Sequence, residues 1–174
     1  KDARWGDFYS FGLNWNAKKE NFLQGVEWLN DLRVRASYGE VGNNAGVSLY
    51  AYQSLYEINK NGGNAAFISQ SLPAPNIKWE TTQTVDLGIE GKLFDRLNFS
   101  FGYFDKRSKD LLFEVRLPYS AGSYPHNDSM TNWSIYQNIG TISNRGFEIA
   151  LSGEIIKNKD WNWTVSADAT TLKN

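Results

Sequence analysis

One stretch of the chain, between Pro118 and Gln137, gathers the side chains best suited to binding a ligand. It contains one imidazole and four large aromatic rings, those of His126, Tyr119, Tyr124, Trp133 and Tyr136. Aromatic side chains combine a broad apolar face with a polar tip, so on an exposed loop they can stack on sugar rings or pack against a partner protein. Tyr124, Trp133 and Tyr136 are therefore our candidate ligand or partner contacts. The alternative is that these rings pack the loop against its neighbours.

The same stretch contains the residues that come nearest to a metal site. His126 and Asp128 lie two positions apart, and both side-chain types can ligate zinc. The chain has one histidine and no cysteine, so no second strong nitrogen or sulfur ligand completes a recognisable site. We expect no metal and no cofactor, and we expect His126 to be a solvated loop residue.

Two pairs of carboxylates have the residue types used for glycoside cleavage, Asp105 with Asp110 and Glu148 with Glu154. Alternation along a strand places Glu148 and Glu154 on one polar wall, where charged side chains facing the lumen of a barrel are also expected. The sequence has no glycine-rich phosphate loop, no cysteine–histidine cluster and no Ser-His-Asp arrangement. The sequence therefore gives no support to covalent catalysis, and we expect that the protein is not an enzyme.

The elements that must position these residues are long strands, which are clearest between Lys78 and Leu117. Apolar residues occupy alternate positions in two runs that meet at a turn predicted at Asp95-Arg96. The first run has Val85, Leu87, Ile89 and Leu93. The second has Leu97, Phe99, Phe101 and Tyr103 and continues through Leu111, Phe113, Val115 and Leu117. Strand side chains change face with period two, so each run has one apolar and one polar wall. Soluble strands average about 5–6 residues, whereas these runs are long enough to cross a bilayer. The pattern is typical of a transmembrane β-barrel hairpin.

The rest of the chain repeats this pattern and predicts an all-β fold, with six long antiparallel strands of a large transmembrane β-barrel joined by loops. Further alternating runs lie at residues 9–15, 32–38, 147–155 and 161–169, with a weaker run at 50–58 and a short helix predicted at 20–28. Turns are expected at residues 61–64 and 158–160. Loops are expected from the first of these turns to residue 76 and at residues 118–137. All four prolines fall in predicted loops, as strand ladders require. Short turns at one end and long loops at the other are typical of outer-membrane barrels.

Composition narrows the function classes further. The chain has 18 Lys and Arg against 19 Asp and Glu, so nothing in its charge supports nucleic-acid binding. Mean hydropathy is −0.52 and no apolar run approaches 18 residues, which excludes membrane helices but not barrel strands. Aromatic residues make up 15%, which fits an interfacial girdle formed by Trp15, Phe99, Trp161 and Trp163, or alternatively the core of a β-sandwich. Five charged side chains should face the lumen: Arg33, Arg35, Asp86, Glu90 and Glu148.

Three segments carry a family resemblance. They are Leu32-Arg-Val-Arg-Ala-Ser-Tyr-Gly-Glu-Val-Gly-Asn43, then Pro75-Asn-Ile-Lys-Trp-Glu-Thr-Thr82 with the hairpin to Leu112, and Asn138-Ile-Gly-Thr-Ile-Ser-Asn-Arg-Gly-Phe-Glu-Ile149. In order and spacing they resemble the carboxyl-terminal barrel region of SusC/RagA-type TonB-linked outer-membrane proteins of the Bacteroidetes. The chain opens without a signal-peptide pattern and stops inside a strand pattern. We therefore expect residues 1–174 to be an internal part of a barrel domain, with the plug and the remaining strands outside it.

The resemblance implies a Gram-negative outer-membrane barrel closed by an amino-terminal plug and powered through TonB. It also implies a SusD-like surface lipoprotein as a lid, and glycan fragments or peptides as cargo. The expected function is energised import of large nutrients. The rival from another class is a soluble carbohydrate-binding β-sandwich module, which would also be aromatic-rich and alternating. Strand length discriminates between them, because sandwich strands should be near six residues.

Overall fold

The computed structural model describes residues 5–118, 120 and 134–174. In these residues it contains ten strands, which are β1 (Ser10–Asn16), β2 (Leu29–Asn43), β3 (Leu55–Asn61), β4 (Asn64–Ser71), β5 (Glu80–Leu93), β6 (Leu97–Lys109), β7 (Leu112–Arg116), β8 (Ser134–Asn138), β9 (Thr141–Lys157) and β10 (Asn162–Lys173). The helical elements there are a 3₁₀ turn (Ala17–Lys19) and α1 (Asn21–Gln24). No helix of these residues is long and apolar enough to cross a membrane. The all-β prediction is confirmed.

Six strands form one sheet in the order β1-β2-β5-β6-β9-β10, while β3 pairs with β4 and β7 with β8 in separate two-stranded sheets. Strands β2, β5, β6, β9 and β10 contain 15, 14, 13, 17 and 12 residues. Globular strands average about 5–6 residues, so these strands are unusually long. A β-sandwich requires two stacked sheets of shorter strands. The fold therefore rules out the sandwich alternative for the long strands.

The chain divides into two compact units, and few apolar side chains are buried in either. The sheet unit comprises residues 8–41, 82–107 and 142–174, and the loop unit comprises residues 1–7, 42–81 and 108–141. Among the described residues, the buried apolar side chains are Ala17 and Leu29 in the sheet unit and Ala74 in the loop unit. Soluble domains gather their large apolar side chains in a core. In the sheet unit most of them instead remain on one exposed face.

Tight turns join β5 to β6 and β9 to β10. Phe94 and Asp95 have φ of 52° and 59°, and the Arg96 N–H donates to the Leu93 carbonyl at 3.0 Å. Two successive positive φ values define a type I′ turn, whose twist matches that of the flanking strands. The turn is therefore centred one residue before the predicted Asp95-Arg96. At the second turn the Asn158 N–H donates to the Trp161 carbonyl at 2.8 Å, which confirms the predicted turn at residues 158–160.

The long connections contain strands that the sequence interpretation missed. The predicted turn at residues 61–64 is confirmed, with Gly62 and Gly63 at φ of 59° and 88°. The loop predicted after it is wrong in part, because β4 continues from Asn64 to Ser71 and pairs with β3. The loop predicted at residues 118–137 likewise contains most of β8, which pairs with β7. The second strand of each hairpin, β4 with eight residues and β8 with five, is too short to give a clear alternation.

Two long runs are interrupted where the pattern predicted continuity. The strand predicted from Leu97 through Leu117 ends at Lys109, because Asp110 adopts a left-handed backbone with φ of 54°. In β9, Glu154 lies opposite Thr164 and Ile156 lies opposite Trp163, so Ile155 is the extra residue of a β-bulge.

The helix predicted at residues 20–28 is reduced to the four residues of α1. So short a segment gains too few hydrogen bonds to offset the cost of helix nucleation, and Gly25 ends it.

Candidate functional site

One face of the sheet is a continuous apolar surface, which we call the apolar wall. It comprises Phe11, Leu13 and Trp15 of β1, Val34, Ala36 and Tyr38 of β2, Val85, Leu87 and Ile89 of β5, Phe99, Phe101 and Tyr103 of β6, Phe147, Ile149 and Leu151 of β9, and Val165, Ala167 and Ala169 of β10. The register confirms that these residues share a face, because Leu13 lies opposite Ala36 and Leu151 lies opposite Ala167. Most of its large side chains are exposed or half-buried.

Aromatic contacts run across the apolar wall between strands. The Phe147 ring lies 5.8 Å from Phe101 and 5.2 Å from Tyr103, measured between ring centroids. Phe99 covers Gly91 so closely that a Cβ added there would stand 2.9 Å from the ring. Cross-strand pairs of this kind stabilise a sheet by about 0.2–1 kcal/mol each. The rings thus build a smooth, tightly joined surface without any packed layer above it.

Charged and polar groups bound the apolar wall at the end opposite the tight turns. Glu40 accepts hydrogen bonds from the Tyr38 hydroxyl and from the Gln83 side chain, the latter at 2.7 Å. Two strands away, Arg107 forms an ion pair with Asp105 at 2.6 Å. On β9 the apolar positions run from Phe147 to Ile155, a separation of eight residues that at about 3.3 Å each and a tilt near 40° spans roughly 20 Å in height. Lipid-facing bands of barrels are about 25 Å tall.

The opposite face of the sheet, the polar wall, carries the charged residues predicted to face a lumen. The Arg35 side chain lies over Gly88, where an added Cβ would come within 2.5 Å of it. Glu148 lies beside Gly102, with a distance of 3.8 Å from its Cβ to the position of an added one. Arg33 pairs with Asp31 at 3.0 Å. These side chains give the polar wall a charged surface rather than an apolar core.

The predicted aromatic girdle is present at the end of the sheet that carries the tight turns, with one difference. Trp15, Trp161 and Trp163 are 42%, 75% and 56% exposed, which leaves their rings accessible to a membrane interface. Phe99 is half-buried over Gly91 and contributes to packing within the wall. The sequence could not distinguish these roles, because the close approach of Phe99 depends on the glycine in the neighbouring strand.

One carboxylate in each of the pairs considered for glycoside cleavage forms an ion pair with a basic side chain. Asp105 is paired with Arg107, and Glu154 is paired with Lys157 at 2.6 Å. Glu148 and Glu154 lie six residues apart on one strand, which at about 3.3 Å per residue places them near 20 Å apart. Glycosidases hold their two carboxyls about 5–9.5 Å apart. Among residues 5–118, 120 and 134–174, no cluster of three or more potential metal ligands occurs.

In the loop unit, an amide side chain joins two connections. The Asn138 Oδ1 accepts the Lys78 N–H at 2.8 Å, while its Nδ2 donates to the carbonyls of Lys78 at 2.9 Å and Asp110 at 2.8 Å. Asn138 and Lys78 belong to two of the three segments that carry the family resemblance. The same contacts border a cleft of about 450 Å³ beside Tyr136 and Gln137. Asn138 therefore fixes the shape of a candidate binding surface.

A second, more apolar cleft of about 530 Å³ lies in the same unit. Its lining includes Leu49, Tyr50, Tyr52, Trp79 and Leu112. Tyr50 and Tyr52 are 58% and 43% exposed, so both rings are accessible to a ligand. The sequence interpretation assigned these tyrosines only to a weak strand. The sequence signal for this cleft is the pair of tyrosines two residues apart, Tyr50 and Tyr52. The same spacing is expected of one face of a strand, so the sequence alone does not distinguish the two.

Of the three predicted contact residues, the structure describes one. Tyr136 lies on β8 opposite Glu114, is half-buried, and donates a hydrogen bond to the Gly46 carbonyl at 3.3 Å. Its hydroxyl is therefore used to hold the loop unit together, as the packing alternative expected, while one face of the residue lines the smaller cleft. Tyr124 and Trp133, like His126 and Asp128, lie outside the described residues.

Comparison with known proteins identifies the family. The model of the "TonB dependent receptor-like, beta-barrel" family matches residues 1–174. The chain is 34% identical to the TonB-dependent receptor SusC of Bacteroides thetaiotaomicron and 32% identical to TonB-dependent receptor P3 of Formosa agariphila, in both cases over 100% of this chain and 17% of the relative. It thus spans about one sixth of the length of these relatives.

Solved structures agree in fold. The RagAB peptide importer matches in its "closed-closed" state with a TM-score of 0.75 and in its "open-open" state with 0.76, each at 30% identity over 95% of this chain and 17% of that one. The apolar wall, the polar wall and the alternation of tight turns with long connections are those of a barrel that faces lipid on one side and water on the other. The chain belongs to the TonB-dependent receptor β-barrel family, in its SusC/RagA branch, and lies in the outer membrane.

Proposed function

We propose that the complete protein is an active importer that takes up large nutrients, glycan fragments or peptides, across the outer membrane. Energy comes from TonB, and a SusD-like surface lipoprotein covers the mouth of the barrel. The similarity to SusC and to the RagAB peptide importer supports this proposal. The observation that carries it is the sheet with one apolar and one charged wall, because such a sheet separates lipid from an aqueous passage.

In this proposal the sheet unit supplies the passage wall and performs no covalent chemistry. Every backbone N–H and C=O in the bilayer must be paired, since an unpaired group there costs several kcal/mol. The long ladders of β2, β5, β6 and β9 pair these groups within the sheet. Charged side chains of the polar wall, such as Arg35 and Asp86, keep the passage hydrated and contact the plug or cargo.

The loop unit supplies contacts to cargo or to the lid. Tyr50 and Tyr52 present exposed rings in the larger cleft, and Tyr136 borders the smaller one. Aromatic faces suit sugar rings and apolar peptide side chains alike. Tyr124 and Trp133 stay predicted contacts, from the sequence alone. Growth on oligosaccharides compared with growth on peptides distinguishes the two cargo classes.

The test is nutrient-limited growth of a strain that carries or lacks the gene. Growth on an oligosaccharide or on peptides as the sole source should fail without the gene or without TonB, while growth on the corresponding monomers continues. The double substitution Tyr50→Ala, Tyr52→Ala in the full-length protein should slow uptake at equal amounts of assembled barrel. Tyr56→Ala is the matched control, since Tyr56 is 64% exposed but does not line the cleft.

The proposal is wrong if the strain lacking the gene takes up every tested oligosaccharide and peptide at the normal rate. Growth that fails on peptides alone, or on glycans alone, assigns the cargo class. If Tyr56→Ala slows uptake as strongly as the double substitution, the tyrosine cleft is not the contact surface, although the importer function stands.

A further inference from the structure

The connector between β1 and β2, residues 17–28, differs from the other two connections at its end of the sheet, which are tight turns. We propose that this connector is a membrane-surface anchor, which lies on the periplasmic phospholipid layer and inserts the rings of Phe22 and Trp28 at the boundary between headgroups and acyl chains. This inference concerns how the barrel is held in its membrane, and it stands independently of the cargo that the protein carries.

The connector is an ordered element rather than a loose loop. The Lys18 ammonium donates to the carbonyls of Leu23 at 2.9 Å and Val26 at 2.8 Å, which caps the exposed end of the short helix. The Trp15 indole N–H donates to the Glu20 carboxylate at 3.0 Å and ties the connector to the end of β1. The connector therefore holds its rings in a fixed position relative to the apolar wall.

The apolar residues in and next to the connector fall into a buried pair and an exposed pair. Ala17, its first residue, and Leu29, which follows it at the start of β2, are 2% and 5% exposed and fix the two ends of the connector to the sheet. Phe22 and Trp28 are 68% and 54% exposed, although Phe22 lies near Trp15 and Trp28 near Phe94. A segment surrounded only by water gains nothing by presenting these rings, whereas an interfacial segment gains their transfer out of water.

The rings are continuous with the surface that faces lipid. The Phe22 ring lies 6.4 Å from Trp15, a member of the apolar wall and girdle. The Trp28 ring lies 6.2 Å from Phe94 in the turn between β5 and β6, whose N–H donates to the Trp28 carbonyl at 2.8 Å. Aromatic rings are favoured at the headgroup level of membranes. The contact of Phe22 with the girdle residue Trp15 is the observation that points to phospholipid as the occupant of this surface.

The turn between β9 and β10 supplies a polar reference position. Its residues Asn158, Lys159 and Asp160 are polar and exposed, and Trp161, a girdle residue that is 75% exposed, follows them. Lys159 is therefore the polar position against which lipid labelling at Phe22 and Trp28 is compared.

Photo-crosslinking tests the proposal. The full-length protein carrying the photoreactive residue p-benzoylphenylalanine in place of Phe22 or Trp28 is reconstituted in vesicles of phosphatidylethanolamine and phosphatidylglycerol with radiolabelled acyl chains, then irradiated. We expect lipid adducts at both positions, several-fold above those at Lys159 and comparable with those at Leu151 of the apolar wall. Boiled and unboiled gel mobilities confirm that each variant is assembled.

Lipid labelling at Phe22 and Trp28 no greater than at Lys159 overturns the proposal, and so does crosslinking to protein alone. Labelling at Leu151 must be present in the same experiment, because it establishes that the barrel is inserted. A variant with Phe22→Asp should reduce labelling from Trp28 if both rings insert together, and leave it unchanged if they act separately, in which case the single-anchor proposal fails.

Discussion

The two walls of the sheet should respond in opposite ways to a charge placed at neighbouring positions of β9. Leu151 lies on the apolar wall, four residues from Phe147 and four from Ile155, which is about 10 Å in height from either edge of the apolar band. Its neighbour Ala150 lies on the polar wall, opposite Asp168. Leu151→Arg and Ala150→Arg therefore introduce the same charge at the same depth, one toward lipid and one toward water.

An arginine at the bilayer midplane of a barrel costs about 2–4 kcal/mol, which lowers the ratio of folded to unfolded protein by about 30- to 900-fold. Leu151→Arg should show this loss, whereas Ala150→Arg should be nearly neutral because Asp168 can pair with the new charge. The assay is urea unfolding of the full-length protein in phospholipid vesicles, followed by tryptophan fluorescence, with gel mobility as a check on assembly. Equal destabilisation by both substitutions, or a larger effect of Ala150→Arg, would refute the assignment of the walls.

Three further predictions follow from close contacts and backbone angles. Gly91→Ala should destabilise the barrel by about 1–3 kcal/mol, since its Cβ would meet backbone at 2.5 Å, while Gly12→Ala has open space and should be neutral in the same unfolding assay. Asp110→Val should cost about 1–2 kcal/mol because its φ of 54° is left-handed, and Asp110→Gly should cost none, measured as the difference in urea midpoints. Asn138→Leu removes the hydrogen bonds to both carbonyls and to the Lys78 N–H, so limited proteolysis near Lys78 should accelerate while the urea midpoint of the sheet stays constant. Cleavage at the unchanged rate would contradict the role given to Asn138.

Much of the sheet could be predicted because alternation in a long strand is a strong signal. Every second residue of β9 from Phe147 to Leu151 is large and apolar, and the register with β10 places these residues on one face. Residue types predict both tight turns, although the first is centred on Phe94 and Asp95, one residue before the predicted Asp95-Arg96. A bulky residue at positive φ gives no sequence signal of its own.

The loop unit was harder to predict for physical reasons. Strands β4 and β8 contain eight and five residues, too few for alternation to be distinguished from loop composition. Asp110 ends β6 through its backbone angle, and aspartate tolerates that angle without requiring it. The role of Asn138 depends on two connections that are 60 and 28 residues away in sequence, so only the fold brings its partners together.

The candidate site shows the same limit. Aromatic content pointed to residues 118–137, and Tyr136 does border a cleft in the described part of that stretch. Tyr50 and Tyr52, which are more exposed, come from a connection that the sequence read as a weak strand. Residue type identified the kind of surface, whereas its location depended on the folding of the long connections.

The central claim, that one wall of this sheet faces lipid and the other faces water, is tested most directly by spin labels along β9. A nitroxide is attached in turn at residues 147 to 152 of the full-length protein in phospholipid bilayers, and its collision rates with oxygen and with a water-soluble nickel chelate are compared. The account predicts alternation with period two, with oxygen favoured at Phe147, Ile149 and Leu151 and nickel at Glu148, Ala150 and Ser152. Equal access of the nickel chelate to all six positions would contradict it.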